Sequence, residues 1–145
     1  MKIYLDTCCL NRPFDDQNQP RIRLESEAVT LILEKTHQRE WEWVGSEILF
    51  YELEQISDVE RKERTVLLAR QCHRVIETTG QILDRAEELE TSGFDSYDAL
   101  HLASAEQAKV EVFLTTDDHL QKLANREKKR FLFAVINPVQ WLEEV

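Results

Sequence analysis

The residues best suited to chemistry in this chain are acids. Asp6 closes the run Lys2-Ile3-Tyr4-Leu5, and Asp117 closes Val112-Phe113-Leu114-Thr115-Thr116, so each is a carboxylate at the end of an apolar, strand-type segment. Glu52 lies in Ile48-Leu49-Phe50-Tyr51-Glu52-Leu53, which reads as a helix apolar on most sides, and helical spacing sets it beside Leu49 and Ile56. A carboxylate on such a helix is costly unless it is paired or faces a cation. Asp98 takes the third position of a helix if Asp95 caps it. Each acid also has a plain structural explanation. Asp after a strand suits a turn or a cap. Asp98 suits the positive end of the helix macrodipole, and Glu52 could face water at a helix margin. Together on one rim, however, the four would repel each other. Hard divalent cations with oxygen ligands, Mg²⁺ or Mn²⁺, remove that repulsion. A carboxylate-held metal with open water positions supplies a hydroxide and stabilises in-line attack on phosphorus, so phosphodiester hydrolysis is the chemistry this set suits.

The elements that must carry these acids alternate along the chain. Lys2–Leu5 is a first strand, followed by a loop over Asn11–Pro20 on its Pro, Asn and Asp content. Leu24, Ala28, Leu31 and Ile32 have helical spacing, giving a helix over about 24–38. Glu42-Trp43-Val44-Gly45 reads as a strand, with Ser46 placed to cap the helix that bears Glu52. Ser57-Asp58-Val59-Glu60 has the form of a capping box for the next helix. Arg74–Thr78 reads as a third strand, and a helix through Ile82 and Leu89 stops near Gly93. Asp95–Ala108 is a helix rich in Ala and Leu. Val112–Thr116 is a strand, a short helix runs through Leu120 and Leu123, and the continuous apolar run Phe131–Ile136 reads as a last strand stopped by Asn137-Pro138. The alternation implies an α/β fold, with a parallel sheet covered by helices on both faces, in a single domain over 1–145. In such sheets ligands bind at the carboxyl ends of the strands, where Asp6 and Asp117 fall.

Composition sets limits around this reading. Hydrophobic residues make up 42% of the 145 and charged residues 32%, the balance of a soluble globular domain. No apolar run approaches a bilayer span, and the first residues lack the basic and apolar regions of a secretory signal. Three cysteines without a C-x-x-C suggest reduced thiols and a cytoplasmic location. The net charge of -10 argues against a broad basic surface that coats nucleic acid, but clustered metal-holding acids would supply part of it.

The set Ile3-Tyr4-Leu5-Asp6-Thr7, Ser46 followed by Glu52-Leu53, Asp98-Ala99-Leu100-His101-Leu102-Ala103 and Leu114-Thr115-Thr116-Asp117 resembles the PIN-domain nucleases, which include the VapC-type toxins of bacterial toxin–antitoxin modules. The resemblance runs through essentially the whole chain in order and spacing. It implies a three-layer, Rossmann-like sandwich and Mg²⁺- or Mn²⁺-dependent cleavage of RNA. By the same resemblance Asp6, Glu52, Asp98 and Asp117 form the acidic quartet. Asp6 and Asp98 are then direct metal ligands, Glu52 and Asp117 complete the site, and Thr7 and Thr116 support it. It further implies a homodimer and an antitoxin partner. Asp118 could share the role of Asp117, and Asp95 that of Asp98, although the Thr-x-Asp spacing from Thr115 favours Asp117. Basic help for RNA could come from Arg12, Arg21 and Arg23 or from Lys128-Lys129-Arg130.

Other constellations are weaker. His101 and His119 could join a zinc site, but no cysteine pair has zinc spacing and His101 is expected against the sheet. Cys8 near a histidine could be a nucleophile, yet three thiols without partner spacing read as small buried residues. Trp41, Trp43 and Trp141 suit packing better than a base-stacking platform. A phosphoacceptor domain of the same architecture would want an acidic pair after the first strand and a late lysine, which this chain does not place there. The rival with the most support is a PIN-fold binding or regulatory protein without turnover.

Overall fold

Five short strands form one parallel sheet, and the order in which they lie across it decides where a site can form. The structure is a computed structural model that describes residues 1–145. The strands are β1 (Lys2–Leu5), β2 (Glu42–Ser46), β3 (Arg74–Ile76), β4 (Val112–Leu114) and β5 (Ala134–Ile136), lying in the order β3-β2-β1-β4-β5. All neighbours pair in parallel, with Tyr4 beside both Val44 and Phe113. The chain therefore builds outward from β1 on one side, then returns to build β4 and β5 on the other. That reversal opens a crevice at the carboxyl ends of β1 and β4, the switch point at which ligands bind in sheets of this kind. No helix is long and apolar enough to cross a membrane.

Side-chain alternation along the strands divides the core in two. Tyr4, Val44 and Phe113 face one cluster, while Ile3, Leu5, Trp43, Val112 and Leu114 face the other. The first cluster is covered by α5 (Gly80–Thr91), α6 (Ser96–Gln107) and α7 (Asp118–Arg126). The second is covered by α1 (Thr7–Asn11), α2 (Pro20–His37), α3 (Glu47–Glu54), α4 (Val59–Ala69) and α8 (Pro138–Glu144). Tyr4 stacks on Phe113 with ring centroids 5.1 Å apart. Trp43 is fully buried, and Trp41 packs on Trp141 at 4.7 Å, so the tryptophans hold the core and its margin.

Several element boundaries differ from the sequence reading. The chain after β1 is not a simple loop, because α1 begins at once under the cap of Asp6, and a 3-10 turn follows over Arg12–Phe14. Helix α2 starts at Pro20, whose fixed φ and missing N–H suit a first helical position. Asp58 rather than Ser57 caps α4, accepting from the Arg61 amide at 3.1 Å. Within 131–136 only Ala134–Ile136 pairs with β4; Phe131 and Phe133 are buried against the α5–α7 side of the core instead. Helix α8 was not expected, and Asn137 caps it. Gly93 has φ +104, a left-handed conformation that lets the chain leave α5 and turn directly into the α6 cap at Asp95.

Candidate metal centre

Each acid of the sequence-derived quartet reaches the crevice from a different element. Asp6 leaves the end of β1 with its backbone N–H on the Leu114 carbonyl at 2.9 Å, which fixes it at the β1–β4 boundary. Its carboxylate accepts from the Thr7 amide at 2.8 Å and from the Thr115 hydroxyl at 2.8 Å. Glu52 projects from α3, whose Leu49 and Leu53 are buried, and keeps 27% of its side chain exposed. Asp95 caps α6 by accepting from the Asp98 amide at 2.9 Å, so Asp98 holds the third helical position as its spacing implied. Asp117 caps α7, accepting from Leu120 N–H at 3.1 Å. All four line one open cleft of about 700 Å³, together with Asp95, Tyr97, Arg12 and Arg61.

The electrostatics of this cleft are those of crowded negative charge. Burial, and then the charges of Asp6, Asp95 and Asp117 with a hydrogen bond to Asp95, push the Asp98 carboxyl up to about 8. Burial likewise raises Asp6, against the opposing pull of His101 and Thr115. For Glu52 burial also acts upward, but the hydrogen bonds of His101 and the Thr7 hydroxyl outweigh it and leave the carboxyl below its usual range. Such a rim is stable when hydrated or when a cation neutralises it. The donor set is all oxygen, which fits a hard divalent ion rather than a soft one. Within the cluster, one donor atom each of Asp6, Glu52 and His101 lie within 4.8 Å of one another. His101 is nevertheless a poor ligand. Its Nε2 lies 2.8 Å from Glu52 Oε1 and its Nδ1 lies 2.6 Å from the Tyr4 hydroxyl, so both ring nitrogens are engaged.

A sequence profile of the PIN domain matches residues 3–126, which spans every strand but the last and all four acids. The chain belongs to the PIN domain family. No curated protein matches it in sequence. Among solved structures this PIN domain is similar to VapBC2 from Rickettsia felis bound to a DNA fragment from their promoter, with TM-score 0.62 and 13% identity over 94% of this chain and 98% of that one. It is also similar to VapBC-1 from nontypeable Haemophilus influenzae, with TM-score 0.59 and 14% identity over 95% and 98% of the two chains. At these identities the likeness is one of fold.

Within the PIN domain the open choices of the sequence reading are resolved by partners. Asp118 points away to Arg21, whose guanidinium donates to both of its oxygens at 2.7 Å, and this holds its carboxyl below the usual range. Asp117 is therefore the acid that lines the cleft. Asp95 lines it too, but its Oδ1 is committed to the α6 cap. The Thr7 hydroxyl donates to Glu52 Oε1. The buried Thr116 hydroxyl has no hydrogen-bond partner, and it is Thr115 that donates to Asp6 at 2.8 Å and accepts from the Asp117 amide at 3.1 Å. Beyond β4 the extended chain alternates its side chains, so moving from Thr116 to Thr115 changes the face presented. His119 is exposed and away from the cleft, which removes the histidine pair of the zinc reading. Of the basic candidates, Arg12 lines the cleft, whereas Lys128 borders a separate hollow beside β5. Arg61, which the sequence reading did not single out, lines the cleft as well and donates to Asp15 at 2.7 Å. The other omission was the pairing of His101 with Glu52. The one sequence signal for it was the position of His101 a helical turn beyond Asp98.

Proposed function

We propose that this PIN domain is a Mg²⁺- or Mn²⁺-dependent endoribonuclease, the toxin half of a type II toxin–antitoxin module, acting in the cytoplasm. The observation that carries the reading is the convergence of Asp6, Glu52, Asp98 and Asp117 on one cleft at the switch point of the sheet, with Asp98 held up to about 8 by burial and by its acidic neighbours. Asp6 and Asp98 would hold the cation directly, and Glu52 and Asp117 would complete the site. A divalent ion there supplies an activated water and stabilises charge on the oxygens of an in-line phosphodiester displacement. The chain's own residues prepare that chemistry. Thr115 and the Thr7 amide orient Asp6, the α6 cap orients Asp98, and Thr7 with His101 orients Glu52. The rings of Tyr97 and Tyr51 pack edge to face, with centroids 6.2 Å apart and 37% and 56% of the residues exposed. Open rings beside the acids suit a base of single-stranded RNA.

An antitoxin partner follows from the same family reading and is supported by the fold-level likeness to VapBC structures, and a homodimer follows from the family reading alone. Purified protein with Mn²⁺ should cleave single-stranded or structured RNA, and Asp6→Asn should lose that activity with its fold intact. Equal cleavage by both proteins would assign the activity to a contaminant and end this reading. The net charge of -10 favours one rival, a PIN-fold binding protein without turnover. Calorimetry separates the two, since the rival predicts no Mn²⁺ heat that depends on Asp98.

A further inference from the structure

A buried polar chain reaches the acid cluster from inside the sheet. The Leu49 amide donates to Ser46 Oγ at 3.1 Å, Ser46 Oγ lies 2.6 Å from the Tyr4 hydroxyl, and Tyr4 lies 2.6 Å from His101 Nδ1. His101 Nε2 then meets Glu52 Oε1 at 2.8 Å. Tyr4, Ser46 and His101 are each at most 1% exposed. Buried polar groups of this kind are tolerated only when every donor meets an acceptor. An ionised carboxylate only accepts, so the ring must carry a proton on Nε2. A neutral ring then has a lone pair on Nδ1 that takes the Tyr4 hydrogen. Tyr4 in turn accepts from Ser46, which already accepts from Leu49 and has its own hydrogen free. The order runs one way, from the backbone of α3 back to the carboxylate of α3, and leaves no group unsatisfied.

We infer that Ser46, Tyr4 and His101 are positioning residues which lock the Nε2–H of His101 onto Glu52 and thereby set the cation affinity of the acid cluster. The inference rests on the metal-site reading above. A ring held by Tyr4 cannot turn its lone pair toward Glu52, so one Glu52 oxygen stays tied to His101 and Thr7 and the other is presented to the cleft. Outer partners of this sort typically change metal affinity by about 10–100-fold when removed.

The test is Mn²⁺ calorimetry on the full chain, with nitrogen NMR of the His101 ring. Wild type should bind Mn²⁺, and its metal-free ring should carry a proton on Nε2, hydrogen-bonded to Glu52. Tyr4→Phe keeps the core ring but drops the hydroxyl, and should weaken Mn²⁺ by about 10-fold or more. His101→Leu should weaken it comparably, and His101→Gln, which restores an N–H near the Nε2 position, should recover most of the loss. A purely packing role predicts the opposite ranking, with Leu tolerated at least as well as Gln. Tyr4→Phe and His101→Leu binding Mn²⁺ within twofold of wild type would overturn the inference while leaving the metal site standing. A wild-type protein without Asp98-dependent Mn²⁺ binding would instead overturn the metal-site reading itself. Should either variant fail to fold, the wild-type ring assignment decides, since an Nε2 that carries no proton contradicts the hydrogen bond to Glu52.

Discussion

Glu25 is a buried carboxylate and Asp98 a half-buried one, and their surroundings are opposite. Glu25, with 2% of its side chain exposed, accepts from Arg12 at 2.8 Å, from Arg21 at 3.2 Å and from Asn137 at 2.6 Å. The pattern continues outward: Arg12 also holds Asp15, Asp15 also holds Arg61, and Arg21 also holds Asp118. Positive and negative groups alternate, so this network ties α2 to the 3-10 turn, α4 and α7. Asp98 has instead Asp6, Asp95 and Asp117 around it, and their repulsion adds to burial in raising its carboxyl to about 8. Both regions are rich in acid, yet only one is internally neutralised. The other keeps its negative charges crowded together without a cationic side chain among them, which is what separates a structural cluster from a candidate centre.

The contrast breaks most sharply at Asp98 itself. Asp98→Asn should reduce Mn²⁺ affinity by more than loss of an outer partner does, about 1000-fold or about 4 kcal/mol by calorimetry. The same variant should leave the metal-free protein at least as stable as wild type at pH 8, because it removes a repelled charge. Glu25→Ala should do the reverse. It strands Arg12 and Arg21 without their shared partner, and thermal unfolding should show a loss of about 3 kcal/mol, the lower end for a broken buried pair because Arg21 reaches solvent. Mn²⁺ affinity should stay within about threefold, the scatter expected for a site that keeps its ligands and their outer partners. A Glu25→Ala protein as stable as wild type would show the network to be decorative.

The Asp98 carboxyl lies higher in the folded protein than the usual unfolded value near 3.9. The native state therefore binds the extra proton, and its contribution is fullest below about pH 4 and is lost as pH rises through about 8. Metal-free protein should melt several degrees lower at pH 9 than at pH 6, and Asp98→Asn should flatten that difference. Saturating Mg²⁺ should raise the Tm most at the alkaline end, where the site is charged. Smallest of all is Asp118→Ala. Its pair with Arg21 is about half exposed on both sides, and exposed pairs contribute little, so the Tm should move by no more than the error of the scan.

How much was legible in the sequence depended on the range of the interaction. Asp95 as cap with Asp98 three residues later is a local hydrogen bond, and it was readable from the residues alone. So was Ser46 before α3, whose cap bond spans three positions. The run Phe131–Ile136 has strand composition throughout, but only three residues find β4 beside them, and pairing is not a property of the run. Thr115 rather than Thr116 meets Asp6 because orientation at the end of β4 is set by the neighbouring β1, where Asp6 lies.

The alternation of strands and helices, the apolar strands ending in Asp6 and Asp117, and the short-range caps that aim Asp98 and Asp117 are written in the residues themselves. These follow from periodicity and from hydrogen bonds between near neighbours. Which acids are neutralised depends on contacts made across the fold. Glu25 meets Asn137 across 112 positions, Asp118 meets Arg21 across 97, and His101 meets Glu52 across 49. The energy of a buried carboxylate depends on the charges and donors a few ångströms away, and in a parallel sheet those neighbours come from strands and crossovers far apart in the chain.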